Sequence, residues 1–189
     1  MILLKNLNKW GGVILLLAMF VMFNSEARAG VKKTVIISVG GCQYSVDIDY
    51  ACNPPGPGTM FWSVEEIRKI DSNCVGTLSP SEVPYAISME IRNNLDYYLW
   101  ECTASGIAPC SLGQTKVKSI EYTCWTLWGG VTLTACGNSK QCVTITEYCF
   151  DGTDLIEGSS TTTGAPSTPQ ECSDLNFCDG AEPVDTSCD

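Results

Sequence analysis

The chain has 189 residues, twelve cysteines, no histidine and a formal net charge of −10. That length fits one domain, or a domain with a tail. The missing histidine excludes Ser-His-Asp and Cys-His catalysis, an imidazole proton shuttle and imidazole metal ligands, and the acidic balance is poorly matched to nucleic acid, whose phosphates repel it.

Residues 1–29 read as a secretory signal peptide. Lys5 and Lys9 supply the positive start, Val13 to Phe23 is the apolar stretch, and Ala27-Arg28-Ala29 places cleavage before Gly30. The apolar run is 11 residues long, short of the ~20 that span a bilayer, and no other stretch could span one. Cleavage would remove three bases (Lys5, Lys9, Arg28) and one acid (Glu26), leaving 160 residues with a net charge of −12. The expected location is secreted or extracellular, or the periplasm or cell surface if the source is bacterial.

All twelve cysteines lie after Gly30: Cys42, Cys52, Cys74, Cys102, Cys110, Cys124, Cys136, Cys142, Cys149, Cys172, Cys178 and Cys188. An even number in an exported chain points to a structural disulfide framework. The pairing is open, but parity constrains it. Nine cysteines fall in 30–150 and three in 151–189, so complete pairing within one chain needs at least one bond between the two parts, the alternative being a bridge between chains or a free thiol.

In chain order, Lys32 to Val39 is a β-branched strand, Gly40-Gly41 a turn, and Gln43 to Cys52 an alternating strand with Tyr44, Val46, Ile48, Tyr50 and Cys52 on one face. Asn53-Pro-Pro-Gly-Pro-Gly58 ends it. Ser63-Val-Glu-Glu66 has the form of a capping box, predicting a short helix to about Asn73. A longer helix is predicted from Ser81–Pro84 to Cys102, with Ile87, Ile91, Leu95, Tyr98 and Cys102 along one side. Val117 to Trp128, Val131 to Cys136 and Gln141 to Phe150 are rich in Thr, Val, Ile, Tyr and Trp, and glycine turns separate them, which predicts a three-strand meander. The expected fold is thus a small disulfide-rich α+β domain over 30–150, in the order ββααβββ, rather than a parallel βαβ fold.

Residues 151–189 form an acidic segment with nine acids and no base. Within it, Gly158 to Pro169 is a Ser/Thr/Gly/Pro tract expected to be a solvated linker. A short pattern, I-[DE]-Y-x-C, occurs at Ile48–Cys52 and Ile120–Cys124, with a looser echo at Ile145–Cys149. On a strand it puts Ile, Tyr and Cys on one side, which reads as packing around a half-cystine.

The patterns that could carry chemistry are weak. The cysteines lack the close pairs of zinc and iron–sulfur sites, and no C-x-x-C is present. Asp174 to Gly180 and Asp151-Gly-Thr-Asp154 imitate calcium loops without their ligand spacing. Asp47 and Asp49 share a strand face, and Glu65, Glu66 and Asp71 cluster in the predicted short helix. Paired carboxylates of that kind could hydrolyse a polysaccharide. Acids near a helix start and on a solvated strand need no catalysis, however. Trp125 and Trp128 would point to opposite faces of a strand, while Trp62 and Trp100 read as core. No N-x-[ST] sequon follows residue 29, so N-glycosylation is not expected.

No residue stands out as catalytic, cofactor-binding or metal-binding, and no cofactor is expected. The favoured reading is an exported, disulfide-stabilised, non-catalytic structural or binding component with a protein or glycan partner at the cell surface. A carboxylate-dependent polysaccharide hydrolase is the first alternative. A secreted inhibitor or effector is the second, and its mark would be an exposed, disulfide-clamped loop such as 103–114.

Overall fold

The computed structural model describes residues 30–52, 59–175, 178–184 and 188. The expected signal peptide, the Asn53–Gly58 stop and Asn176 of the calcium-like run lie outside the described residues. The protein is a mixed, strand-rich α+β structure built on one nine-stranded sheet. Strands β1 (Val31–Val39) and β2 (Cys42–Ala51) form the expected hairpin, turning at Gly40 and Gly41 with φ of 56° and 81°, a region that suits glycine. Tyr44, Val46, Ile48 and Tyr50 are buried on one face.

Where a short helix is predicted over 63–73, residues 63–69 instead belong to strand β3 (Thr59–Lys69) and 70–73 to the bend and turn that follow it. A bulge against β2, between Asp47 and Ile48, explains the misreading. Met60, Trp62 and Val64 alternate inward, the bulge turns both Glu65 and Glu66 outward, and Ile67 resumes the inner face. Two adjacent acids break the period of two and imitate a helix N-terminus.

The predicted long helix is real but broken into α1 (Val83–Asn93), α2 (Leu95–Tyr98) and α3 (Trp100–Gly106). The breaks fall at Asn94 and Leu99, with φ of −130° and −124°. The Asn94 side chain donates to the Glu90 carbonyl and carboxylate at 3.2 and 3.0 Å, competing with the helical backbone. Ile87, Ile91, Leu95, Tyr98 and Cys102 are all buried, as their spacing predicts. Lys33 ties β1 to these helices by donating to the Tyr98 carbonyl and Glu101 carboxylate at 2.9 Å each.

The predicted meander is replaced by a fork. The run 117–128 divides at Thr123 into β4 (Thr115–Tyr122) and β5 (Cys124–Trp128). β5 forms a hairpin with β6 (Thr132–Ala135), but β7 (Gln141–Phe150) pairs with β4. One edge of β3 takes both branches: its first half pairs with β4 in parallel, its second with β6 antiparallel. The helices form the crossover between β3 and β4, so the sheet contains the parallel pairing that the ββααβββ order left out. Thr123 pins the fork. It is fully buried, donates to the Lys140 carbonyl at 2.8 Å, meets the Ser167 hydroxyl at 2.6 Å, and accepts at its carbonyl from Val184 N–H at 3.1 Å.

The Ser/Thr-rich tract is not wholly a linker. Its first part belongs to edge strand β8 (Leu155–Thr163), paired with β7. Thr162 and Ser160 pair by hydroxyl with Thr144 and Thr146, at 3.0 Å each, so small polar side chains serve strand pairing without filling a core. Helix α4 (Pro169–Ser173) follows, and the capping box lies here: the Thr168 side chain accepts from Glu171 N–H and Glu171 reaches back to Thr168 N–H. Thr168→Ala is expected to cost about 1 kcal/mol and lower the melting temperature by about 3 °C in a calorimetric scan. A short strand, β9 (Ala181–Pro183), closes the chain against β5.

Six disulfides link Cys42–Cys74, Cys52–Cys102, Cys110–Cys149, Cys124–Cys172, Cys136–Cys178 and Cys142–Cys188. All three cysteines beyond residue 150 therefore bond back to the first part of the chain, at β5, at the residue after β6 and at β7, more than the single link that parity demands. Those bridges span 48, 42 and 46 residues, and chain entropy alone makes each worth about 4 kcal/mol. Around them lies a second small core of Cys124, Cys136, Cys172 and Ala181, separate from the main core between sheet and helices. Among the described residues no helix is long and apolar enough to cross a membrane.

Candidate functional site

The β5–β6 hairpin stands between two cavities of about 350 Å³ each. Leu127 and Leu133 are cross-strand partners and, with Pro80, line both, so they form a partition. The first chamber is walled by the loop after β3, chiefly Cys74, Val75, Gly76 and Leu78. The second is walled by Gly180, Glu182, Pro183 and Val184. Val75 is 95% exposed and Leu127 44%, so aliphatic surface faces solvent at this groove. Polar side chains share the lining: Tyr44 and Lys69 in the first chamber, Ser81 and Glu182 in the second.

Covalent bonds fix both walls. Cys42–Cys74 holds the β3 loop, and Thr77 N–H donates to the Gly40 carbonyl at 2.9 Å. Gly76 packs so closely that a Cβ there would lie 2.9 Å from the Cys42 sulfur. Across the groove, Cys124–Cys172 and Cys136–Cys178 grip the root of the hairpin and the segment that carries β9. A groove set between cross-linked walls is pre-organised, so a ligand loses less free energy in ordering it.

The carboxylates gather elsewhere. Asp47 and Glu66 are register partners, as are Asp49 and Ser63, so Asp47, Asp49, Glu65 and Glu66 share the sheet face opposite the helices. Thr34 donates to Asp47 at 2.6 Å, Ser63 and Tyr122 donate to Glu65 at 2.7 and 3.1 Å, and Arg68 pairs with Glu66 at 2.5 Å. Burial first, then the negative charge of Glu65, pushes the Tyr122 phenol up. Asp71 is not part of this group: its carboxylate accepts from Asn73 N–H at 2.9 Å in the following loop. The two strand acids and the two predicted helix acids are therefore neighbours, a placement that the helix assignment concealed.

The other singled-out residues separate. Trp62 and Trp125 are buried, and Trp125 donates to the Tyr122 carbonyl at 2.9 Å, while Trp128 is 56% exposed. Trp100, expected in the core, is 58% exposed. The first I-[DE]-Y-x-C copy buries Ile48 and Tyr50, but the second is inverted: Glu121 is buried beneath α1, and Ile120 and Tyr122 lie on the opposite face. Sequence reasoning therefore missed Glu121, whose one signal was a charge inside a β-branched run. Asp151 turns its own loop, accepting from Thr153 and Asp154 N–H at 2.8 Å each, and Asp174 accepts from Gln170 at 2.8 Å. Among the described residues no group of three or more acids and cysteines is arranged to hold a metal. Segment 103–114 is clamped by Cys110–Cys149 and exposes Leu112, but Cys110–Leu112 coils into a 3-10 turn rather than an extended, strand-like bait.

Fold and groove together define a strand-rich α+β protein cross-linked by six disulfides, with two cavities of mixed aliphatic and polar lining beside one hairpin. Comparison with known proteins adds no relative: no family model, no curated protein and no solved structure matches this chain.

Proposed function

We propose that the protein is an exported, non-catalytic binding component whose groove receives aliphatic side chains of a protein partner outside the cytoplasm. The observation that supports this most is the pairing of exposed apolar lining with walls cross-linked on both sides. Six disulfides favour an oxidising compartment, and Ala27-Arg28-Ala29 supplies the export reading. The exposed aliphatic side chains of Val75 and Leu127 on this groove favour a protein partner with apolar side chains.

Carboxylate-dependent hydrolysis of a polysaccharide is the second reading, favoured by the four acids gathered on the open sheet face. Three of them already accept side-chain hydrogen bonds on the strands themselves, and the groove's cavities are lined by other residues.

A photo-reactive side chain placed at Val75 in the exported protein is expected to give a discrete cross-linked partner. Leu127→Glu should abolish that product, and the same probe at Ile36, on the far edge strand, should not give it. Equal products from both positions would remove the groove from the reading.

A further inference from the structure

Asp49, on the same open face, has a buried Oδ1 with no hydrogen-bond partner among the described residues. Gly30 stands directly against that oxygen. A Cβ built on Gly30 would lie 2.0 Å from Oδ1, so the Gly30 Cα is within about 3.5 Å of it and the nitrogen within about 5 Å. A residue with any side chain would have to displace the carboxylate. Gly30 is also the residue that follows Ala27-Arg28-Ala29.

We infer that proteolytic processing before Gly30 creates the missing partner: the new α-ammonium group of Gly30 pairs with Asp49. This rests on the export reading given above. Before cleavage the Gly30 nitrogen is a neutral amide held in the chain. Hydrolysis of the Ala29–Gly30 peptide bond adds water across it, leaving a carboxylate on Ala29 and an amine on Gly30, which takes up a proton at neutral pH. The freed terminus has three donors and can rotate about its own Cα, which is already in place at the start of β1. The surrounding charges are few and named. Lys32 is the register partner of Asp49 on β1, Asp47 lies two residues before it on β2, Ser63 is its partner on β3 with Glu65 two residues further on, and the Tyr122 phenol on β4 feels the charges of both Asp49 and Glu65. Cleavage thereby supplies a donor to a carboxylate oxygen that has none among the described residues, and the processed protein is the more stable form.

The test uses the exported protein and its Asp49→Asn variant. Intact mass and N-terminal sequencing should show Gly30 first and a gain of about 12 Da on reduction of six bridges. The Gly30 amine, followed by NMR, should titrate about one unit above the ~7.7–8.0 of a free α-amino group, and the Asp49→Asn substitution should abolish that shift. Because the folded value is raised, the stabilisation is complete below about pH 8 and lost as pH rises through the folded value. Selective acetylation of the terminus should lower the melting temperature by about 3 °C in the parent and leave the Asp49→Asn variant unmoved. A first residue other than Gly30 would overturn both the processing reading and the ion pair. Gly30 first, with an amine indifferent to Asp49→Asn, would overturn the ion pair alone.

Discussion

Arg92→Leu is expected to destabilise the protein by about 3–5 kcal/mol at neutral pH, with much of the loss restored by acid. Arg92 reaches from α1 to the inner face of β4 and β7. One guanidinium nitrogen donates to Glu121 at 2.7 Å, with Ser119 and Thr144 at 3.3 and 3.4 Å. The Glu121 side chain is only 5% exposed. Burial pushes its carboxyl up and the Arg92 charge opposes that rise. A carboxyl raised above its unfolded value near ~4.3 contributes stability that is full below that pH and is lost as pH climbs through the folded value. Removing Arg92 takes away the opposing charge, so the folded value climbs further and the penalty at neutral pH grows. Urea titrations at pH 7 and pH 5 should therefore show a gap between parent and variant that narrows in acid. Arg92→Leu combined with Glu121→Leu should recover most of the loss, because no buried charge is then left alone. A gap of equal size at both pH values would mean that the ion pair is not what the substitution removes.

The same residues show what could be read from the sequence and what could not. The β1–β2 hairpin, the buried side of the helices and the strand character of 117–150 were legible, because hydrophobic period alone sets them. The bulge at Glu65 hid β3, since one extra residue reverses the alternation that identifies a strand. The fork at Thr123 was invisible because it depends on which edge of β3 each branch meets, a long-range choice that local propensity does not record. Strand β8 was missed for a related reason. Its Ser and Thr side chains bury little, and what holds it is pairing to β7. The groove was legible only in fragments. The strand that carries Leu127 was foreseen, but Val75, Leu78 and Leu133 become neighbours only through the fork and the Cys42–Cys74 bridge. Parity left a choice between a covalent return of the tail and a free or intermolecular cysteine, and for the return it set only a lower limit.

Cys136→Ala with Cys178→Ala, which removes both sulfurs and leaves no free thiol, is expected to dissolve the second chamber while the main sheet persists. Strand β9 has three residues, too few to hold by pairing alone. Its neighbours are the small cystine core, an Ala181 N–H bond to the Cys178 carbonyl at 3.1 Å and the Val184 bond to Thr123 at 3.1 Å. Loss of a bridge spanning 42 residues withdraws about 4 kcal/mol from that arrangement. Hydrogen exchange should then lose protection at Ala181 and at its β5 partner Thr126, while Val46 in β2 keeps its rate. Partner cross-linking from Val75 should weaken in step, since Leu127 and Leu133 serve both chambers and sit on the hairpin that β9 buttresses. Unchanged protection at β9 would show that Cys124–Cys172 and Cys142–Cys188 suffice to dock the tail, and the rigidity assigned to this wall would then belong to them. Retained cross-linking with β9 released would place the partner in the first chamber alone. Either result follows from one physical point: a wall built from a three-residue strand is only as rigid as the covalent bonds on each side of it.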